Sequence, residues 1–169
     1  MNYFELFELP VTLRVDRARL SQKFFELSRR YHPDYFVGQG AEAEAGALEK
    51  SSLLNRAYRV FQSPEETIKY VLQEKGLLQE EEKYELPPDF LMEVLEINEQ
   101  LMDADEPGTA ERIRASIDQL QNEIYEPVRE TVENYQEGAT TAEALLRVKE
   151  YYYKKKYLDR IRRELAGKQ

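Results

Sequence analysis

The chain has 169 residues, 41% of them apolar, with 24 Lys or Arg against 33 Asp or Glu for a formal charge of −9. It has no Cys, no Trp and a single His, which excludes disulfides, thiolate zinc sites, Cys-ligated iron–sulfur clusters and cysteine nucleophiles and leaves only an indirect role in metal or redox chemistry. No apolar run approaches the ~20 residues that span a bilayer, and Met1-Asn2-Tyr3-Phe4-Glu5 has neither a basic leader nor a transit-peptide character. The expectation is a cytoplasmic protein with no membrane partner, no metal and no cofactor of its own.

Taken in chain order, the sequence predicts helices throughout and no strands. Asn2 with Glu5 resembles a capping box that opens a short helix ending before Pro10, and Asp16 suits the N-cap of the next. That second helix carries Leu20, Phe24, Leu27 and Tyr31 as one apolar stripe and must stop near His32, because the residue before Pro33 is steered out of the α region. After a loop with Gly38 and Gly40, a third helix carries Leu54, Tyr58 and Phe61 on one side. Ser63-Pro64-Glu65-Glu66 signals the start of a fourth, and Gly76 suits its C′ stop.

The acidic stretch from Gln79 to Pro88, ending Leu86-Pro87-Pro88, reads as a short linker and not as a packed element. Beyond it, helices are expected at roughly 88–104, 108–136 and 140–166, forming a three-helix bundle. The middle stretch keeps the stripe Ile113, Ile117, Leu120, Ile124, Val128 and Tyr135 across Pro127, which predicts one kinked helix. In the last, Val148, Tyr151, Leu158, Ile161 and Leu165 share a face, and Tyr151, Tyr152 and Tyr153 are expected in the core and at its rim.

The charge is unevenly distributed. Residues 14–31 hold six cations (Arg14, Arg17, Arg19, Lys23, Arg29 and Arg30) against Asp16 and Glu26, a net +4, with Arg19, Lys23 and Arg30 on one helical edge. Residues 79–106 hold eleven acids against Lys83, a net −10. That field opposes a nucleic acid partner, and no base-reading motif is visible. An acidic protein surface suits the basic helix better.

His32-Pro33-Asp34 closes the basic helix as a rigid turn: Pro33 fixes φ, Asp34 can fold back onto backbone N–H groups, and His32 is presented at the helix end. No Ser, Cys or carboxylate network at a catalytic spacing accompanies the His, and a phosphotransfer role fits poorly because an acceptor His projects from mid-helix. A basic helix, this triplet, a loop and a second long helix, all within the first 75 residues, look like a J-domain. Tyr3-Phe4-Glu5-Leu6-Phe7-Glu8-Leu9-Pro10, Leu54-Asn55-Arg56-Ala57-Tyr58 and Phe90-Leu91-Met92-Glu93 with Leu95-Glu96 are similar in place and kind to the HscB-type iron–sulfur co-chaperones, a resemblance covering nearly the whole chain.

The resemblance implies an all-α protein: a J-domain at 1–76, a helical hairpin with two flanking helices, then a linker at 77–88 and a three-helix bundle at 89–169. It implies that His32, Pro33 and Asp34, with Lys23, Arg29 and Arg30, engage an HscA- or DnaK-type chaperone ATPase and stimulate its hydrolysis. The chain has no Gly-rich phosphate loop and is not expected to turn over ATP. Tyr35 stands where J-domains commonly carry Lys, which removes one charge from the patch. The Gly/Phe-rich tract of general J-proteins is missing, which favours a dedicated client over the alternative of a general J-domain co-chaperone.

The helix after Pro88 carries more apolar surface than one core face needs. Phe90, Val94, Ile97 and Leu101 form one stripe, while Leu91, Met92, Leu95 and Met102 lie on a neighbouring face beside Glu96 and Glu99. A broad core-facing surface and a partner site both fit that spacing. The resemblance implies the latter: Leu91, Met92, Leu95, Glu96, Glu99 and, on the last helix, Tyr157 would bind an IscU-type iron–sulfur scaffold protein.

Overall fold

The computed structural model describes residues 2–168, and the caps decide where its helices begin. Asn2 Oδ1 accepts from the Glu5 N–H at 2.8 Å and starts α1, Tyr3–Leu6. The Asp16 carboxylate accepts from the Ala18 and Arg19 N–H groups and starts α2, Arg17–Arg30. A 3-10 turn over Pro33–Phe36 and Gly40 then lead into α3, Ala41–Gln62. Ser63 Oγ accepts from the Glu66 N–H at 3.2 Å and starts α4, Pro64–Glu74; Gly76, at φ 72°, takes the left-handed position after its end.

Packing follows the apolar stripes. Leu20 and Leu27 are buried, and Phe24 stacks on Tyr58 with centroids 3.9 Å apart, closing α2 on α3 as an antiparallel hairpin. Phe4 and Phe7 pack on Phe61, and Tyr3 stacks on Tyr70 at 4.6 Å, so α1 caps the open end of α3 and α4.

The second half consists of α5 (Pro88–Leu101), α6 (Thr109–Tyr125), α7 (Arg129–Glu133) and α8 (Ala142–Gly167). The kinked helix expected over 108–136 is instead two helices separated by a 3-10 turn, Glu126–Val128, and α7 stops before Tyr135. Pro127 has no N–H to give the ladder and its ring crowds the preceding turn, so the backbone tightens there. Burial keeps the side chains in phase across the break, since Ile113, Ile117, Leu120, Ile124, Val128 and Tyr135 are all buried.

Residues 77–88 also differ from expectation, because they pack. Leu78 is buried, Tyr84 stacks on Tyr153 of α8 at 4.5 Å, and Glu82 pairs with Lys149 at 2.6 Å while Glu80 reaches Gln73 of α4. Acidic composition hid this, since a charged residue contributes its stem and one ion pair to a seam that an apolar count does not register. The N-terminal helices lie directly on the bundle: α4 packs along α8, Lys155 pairs with Glu65 at 3.3 Å, Arg14 with Glu133 at 3.5 Å, and Lys75 with Glu137. One continuous hydrophobic cluster runs from Phe4 to Leu165. Among the described residues, no helix is long and apolar enough to cross a membrane.

Candidate functional site: two exposed surfaces

The first surface is the end of α2. His32 leaves the helix at φ −63°, ψ 130°, the extended geometry that Pro33 demands of the residue before it. Its Nδ1 accepts from the Asp34 N–H at 3.2 Å, and its carbonyl accepts from the Tyr35 N–H at 3.1 Å. A neutral ring that accepts at Nδ1 carries its proton on Nε2, the free donor at the tip. The Asp34 carboxylate stands 3.6 Å from the same Nδ1. His32 and Asp34 are exposed and Pro33 half-buried, so the triplet forms a rigid, presented turn and not a catalytic network.

The basic helix leading to it is less uniformly positive than its sequence. Glu8, from the turn after α1, reaches Lys23 at 3.1 Å and Arg30 at 3.7 Å, and Glu26 reaches the same two at 3.8 and 3.1 Å. The hydrogen bond from Lys23 holds the Glu8 carboxyl below the usual carboxylate range, with the charge of Arg30 adding to it. Two cations against two carboxylates leave the Lys23–Arg30 stretch locally neutral, while Arg19, exposed on the same edge, has no ion pair among the described residues. Arg29 projects away from it, exposed, with no ion pair among the described residues. Sequence reasoning missed Glu8 because the contact crosses from a turn at left-handed φ 57° to a helix fifteen residues on.

The second surface is the outer face of α5. Phe90, Val94, Ile97 and Leu101 point into the bundle, leaving Leu91, Met92 and Leu95 43%, 69% and 55% exposed. Glu96 and Glu99 are exposed beside them, and Met102, at 81%, continues the apolar side past the helix end. The alternative of a broad core-facing surface is therefore excluded for these side chains. Tyr157 of α8 is half-buried at the margin: its ring meets Phe90 edge-on at 6.3 Å, Arg160 lies over it at 4.9 Å, and its hydroxyl accepts from Asn98 Nδ2 at 3.4 Å. Asn98 was not singled out from sequence, although it lies seven residues after Leu91 on the same helical side. No cluster of His, Asp or Glu that could hold a metal is found among the described residues.

The two surfaces lie on different helices of one packed body, and neither contains a reactive constellation. One presents a fixed polar turn and the other an exposed apolar helix face. Comparison with known proteins places the chain in a family. Residues 86–166 match the family model described as the HSCB C-terminal oligomerisation domain. A co-chaperone protein HscB homolog of Vibrio vulnificus is 32% identical over 166 residues, 98% of this chain and 95% of that protein, and one from Vibrio parahaemolyticus is similar to the same extent. The crystal structure of human co-chaperone protein HscB superposes with a TM-score of 0.81 at 27% identity, covering 99% of this chain and 82% of the human one. Chaperone HscB from Vibrio cholerae shares the fold, with a TM-score of 0.79. With all-helical halves in this order and 32% identity over nearly the full length of those relatives, the chain belongs to the HscB co-chaperone family.

Proposed function

We propose that this chain is a bivalent adaptor of iron–sulfur cluster assembly: its bundle holds the cluster scaffold protein while its J-domain engages an HscA- or DnaK-type chaperone and stimulates that partner's ATPase. The observation that carries the reading is the exposed His32-Pro33-Asp34 turn, fixed by its own hydrogen bonds at the end of α2, in a member of the HscB co-chaperone family. His32, Pro33 and Asp34 with Lys23, Arg29 and Arg30 form the chaperone-docking set; Leu91, Met92, Leu95, Glu96, Glu99 and Tyr157 form the scaffold-docking set. The hydrolytic site belongs to the chaperone. Holding client and chaperone on one body raises the effective concentration of one at the other without new chemistry.

The packed 77–88 segment favours a dedicated client over a general one, because it ties the two surfaces into one body instead of leaving a mobile tether. The test is His32→Gln in the full chain. ATPase stimulation is expected to vanish while scaffold binding, followed by calorimetry, stays intact. Undiminished stimulation by that variant overturns the J-domain assignment.

A further inference from the structure

Phe25 is anomalous in α2. Its neighbour Phe24 turns inward and stacks on Tyr58, whereas the Phe25 ring is 65% exposed and meets only Phe24 at 6.1 Å among the ring contacts of the described residues. At about 100° per residue, Phe25 and Arg29 stand at i and i+4 on one side of α2, roughly opposite the Lys23–Arg30 edge that Glu8 and Glu26 occupy, and His32 follows just past the helix end. That side, leading to the presented turn, thus carries an exposed aromatic and a cation with no ion pair among the described residues. On the other edge Lys23 and Arg30 are neutralised within the molecule. Beyond the turn, Tyr35 lies edge-on to His32 at 6.2 Å and is 64% exposed, and Val37 is 74% exposed.

We infer that Phe25 is the apolar anchor of the chaperone-docking surface, and that the direct contact runs along Phe25, Arg29 and His32 with Tyr35 at its margin. The occupant is an acidic protein surface with an apolar hollow. Arg29 calls for the carboxylates, and Phe25 and Tyr35 for the hollow, since aromatic and Arg side chains supply most of the binding energy where they are desolvated together. Lys23 and Arg30 contribute a screened field and stay bound to Glu8 and Glu26.

The inference rests on the chaperone-docking reading of the J-domain, and one set of variants separates the two. In the full chain, titrated against the chaperone ATPase, Phe25→Ala is expected to raise the concentration for half-maximal stimulation about tenfold while keeping maximal stimulation. Arg29→Ala is expected to raise it several-fold, Phe25→Leu to restore most of the loss, and Lys23→Ala to cost less than Phe25→Ala. Each variant is checked for helicity and scaffold binding, which exposed positions on α2 do not support. Unchanged titration by Phe25→Ala, or a larger loss from Lys23→Ala, overturns the anchor while His32→Gln still abolishes stimulation. A concentration-dependent dimer that Phe25→Ala dissolves, with stimulation untouched, assigns the ring to a second copy and overturns it too. Full stimulation by His32→Gln removes the docking reading itself.

Discussion

At the end of α2 the proposed groups of the turn are polar and are fixed by their own backbone, with the Asp34 N–H on His32 Nδ1 and the Tyr35 N–H on the His32 carbonyl. On α5 the proposed apolar groups, Leu91, Met92 and Leu95, are fixed by nothing but the helix they project from. Phe90, Val94, Ile97 and Leu101 hold that helix in the core and so choose which face is left outside. The contrast assigns different physics to the two proposed contacts. A rigid polar turn gives orientation and charge-dependent encounter, whereas an exposed Leu and Met face gives affinity by burial and tolerates imprecise fit.

Removing what both surfaces share erases the distinction. Tyr152 of α8 is buried where α4 lies on the bundle, and burial pushes its phenol up to about 12, with the Glu66 carboxylate adding to the shift. Tyr152→Ala is expected to cost about 3–5 kcal/mol of stability, as for other large core aromatics. Because one cluster spans the chain, calorimetry should record a single transition at lower temperature, with both proposed activities lost together. Two resolved transitions, with one activity surviving between them, show that the halves fold separately.

The next largest effect separates the surfaces. Leu91→Ala, Met92→Ala and Leu95→Ala together remove three partly exposed side chains worth about 1 kcal/mol each on binding, so scaffold affinity should fall about 100-fold. Circular dichroism should stay helical, and His32-dependent ATPase stimulation by the chain alone should be unaffected. Unfolding of this variant returns the stripe to the core. Salt gives a smaller difference: raising it from about 0.1 to 1 M shortens the screening length from about 10 to 3 Å and should weaken chaperone docking about tenfold, with scaffold binding changing far less. Equal salt slopes contradict the assignment of the stronger charge dependence to the contact at the end of α2.

How legible each region was in the sequence follows the same division. The turn and its helix could be read locally, because Asn2, Asp16, Ser63 and Gly76 act within a few residues of themselves and all occupy the caps expected of them. The outer face of α5 was legible as a stripe but not as exposed, since spacing alone cannot say how many faces a bundle covers. What failed was non-local. Glu8 holding Lys23, Tyr84 on Tyr153, and the 3-10 break at Pro127 inside an uninterrupted stripe each depend on a partner or a packing constraint outside the local pattern.

Acid should expose the weakest part of the seam that joins the regions. Lys149 holds Glu82 below the ordinary carboxylate range through a hydrogen bond, aided by the Gln79 N–H, and Lys75 does the same for Glu137 with help from the Tyr135 hydroxyl. A carboxyl lowered in the folded state stabilises it fully above the ordinary value of 4.5 and loses that contribution as pH falls through the lowered one. Both groups are partly exposed, with side chains 22% and 48% accessible, which keeps the effect small. The melting temperature should therefore be flat above pH 4.5 with respect to these pairs and decline below it. Glu82→Gln with Glu137→Gln should lower the plateau by a few degrees at most and make the decline shallower. Parallel curves for the double variant and the parent mean that these ion pairs do not couple the linker and the bundle, leaving Tyr84, Leu78 and the α4–α8 contact to hold the two surfaces together.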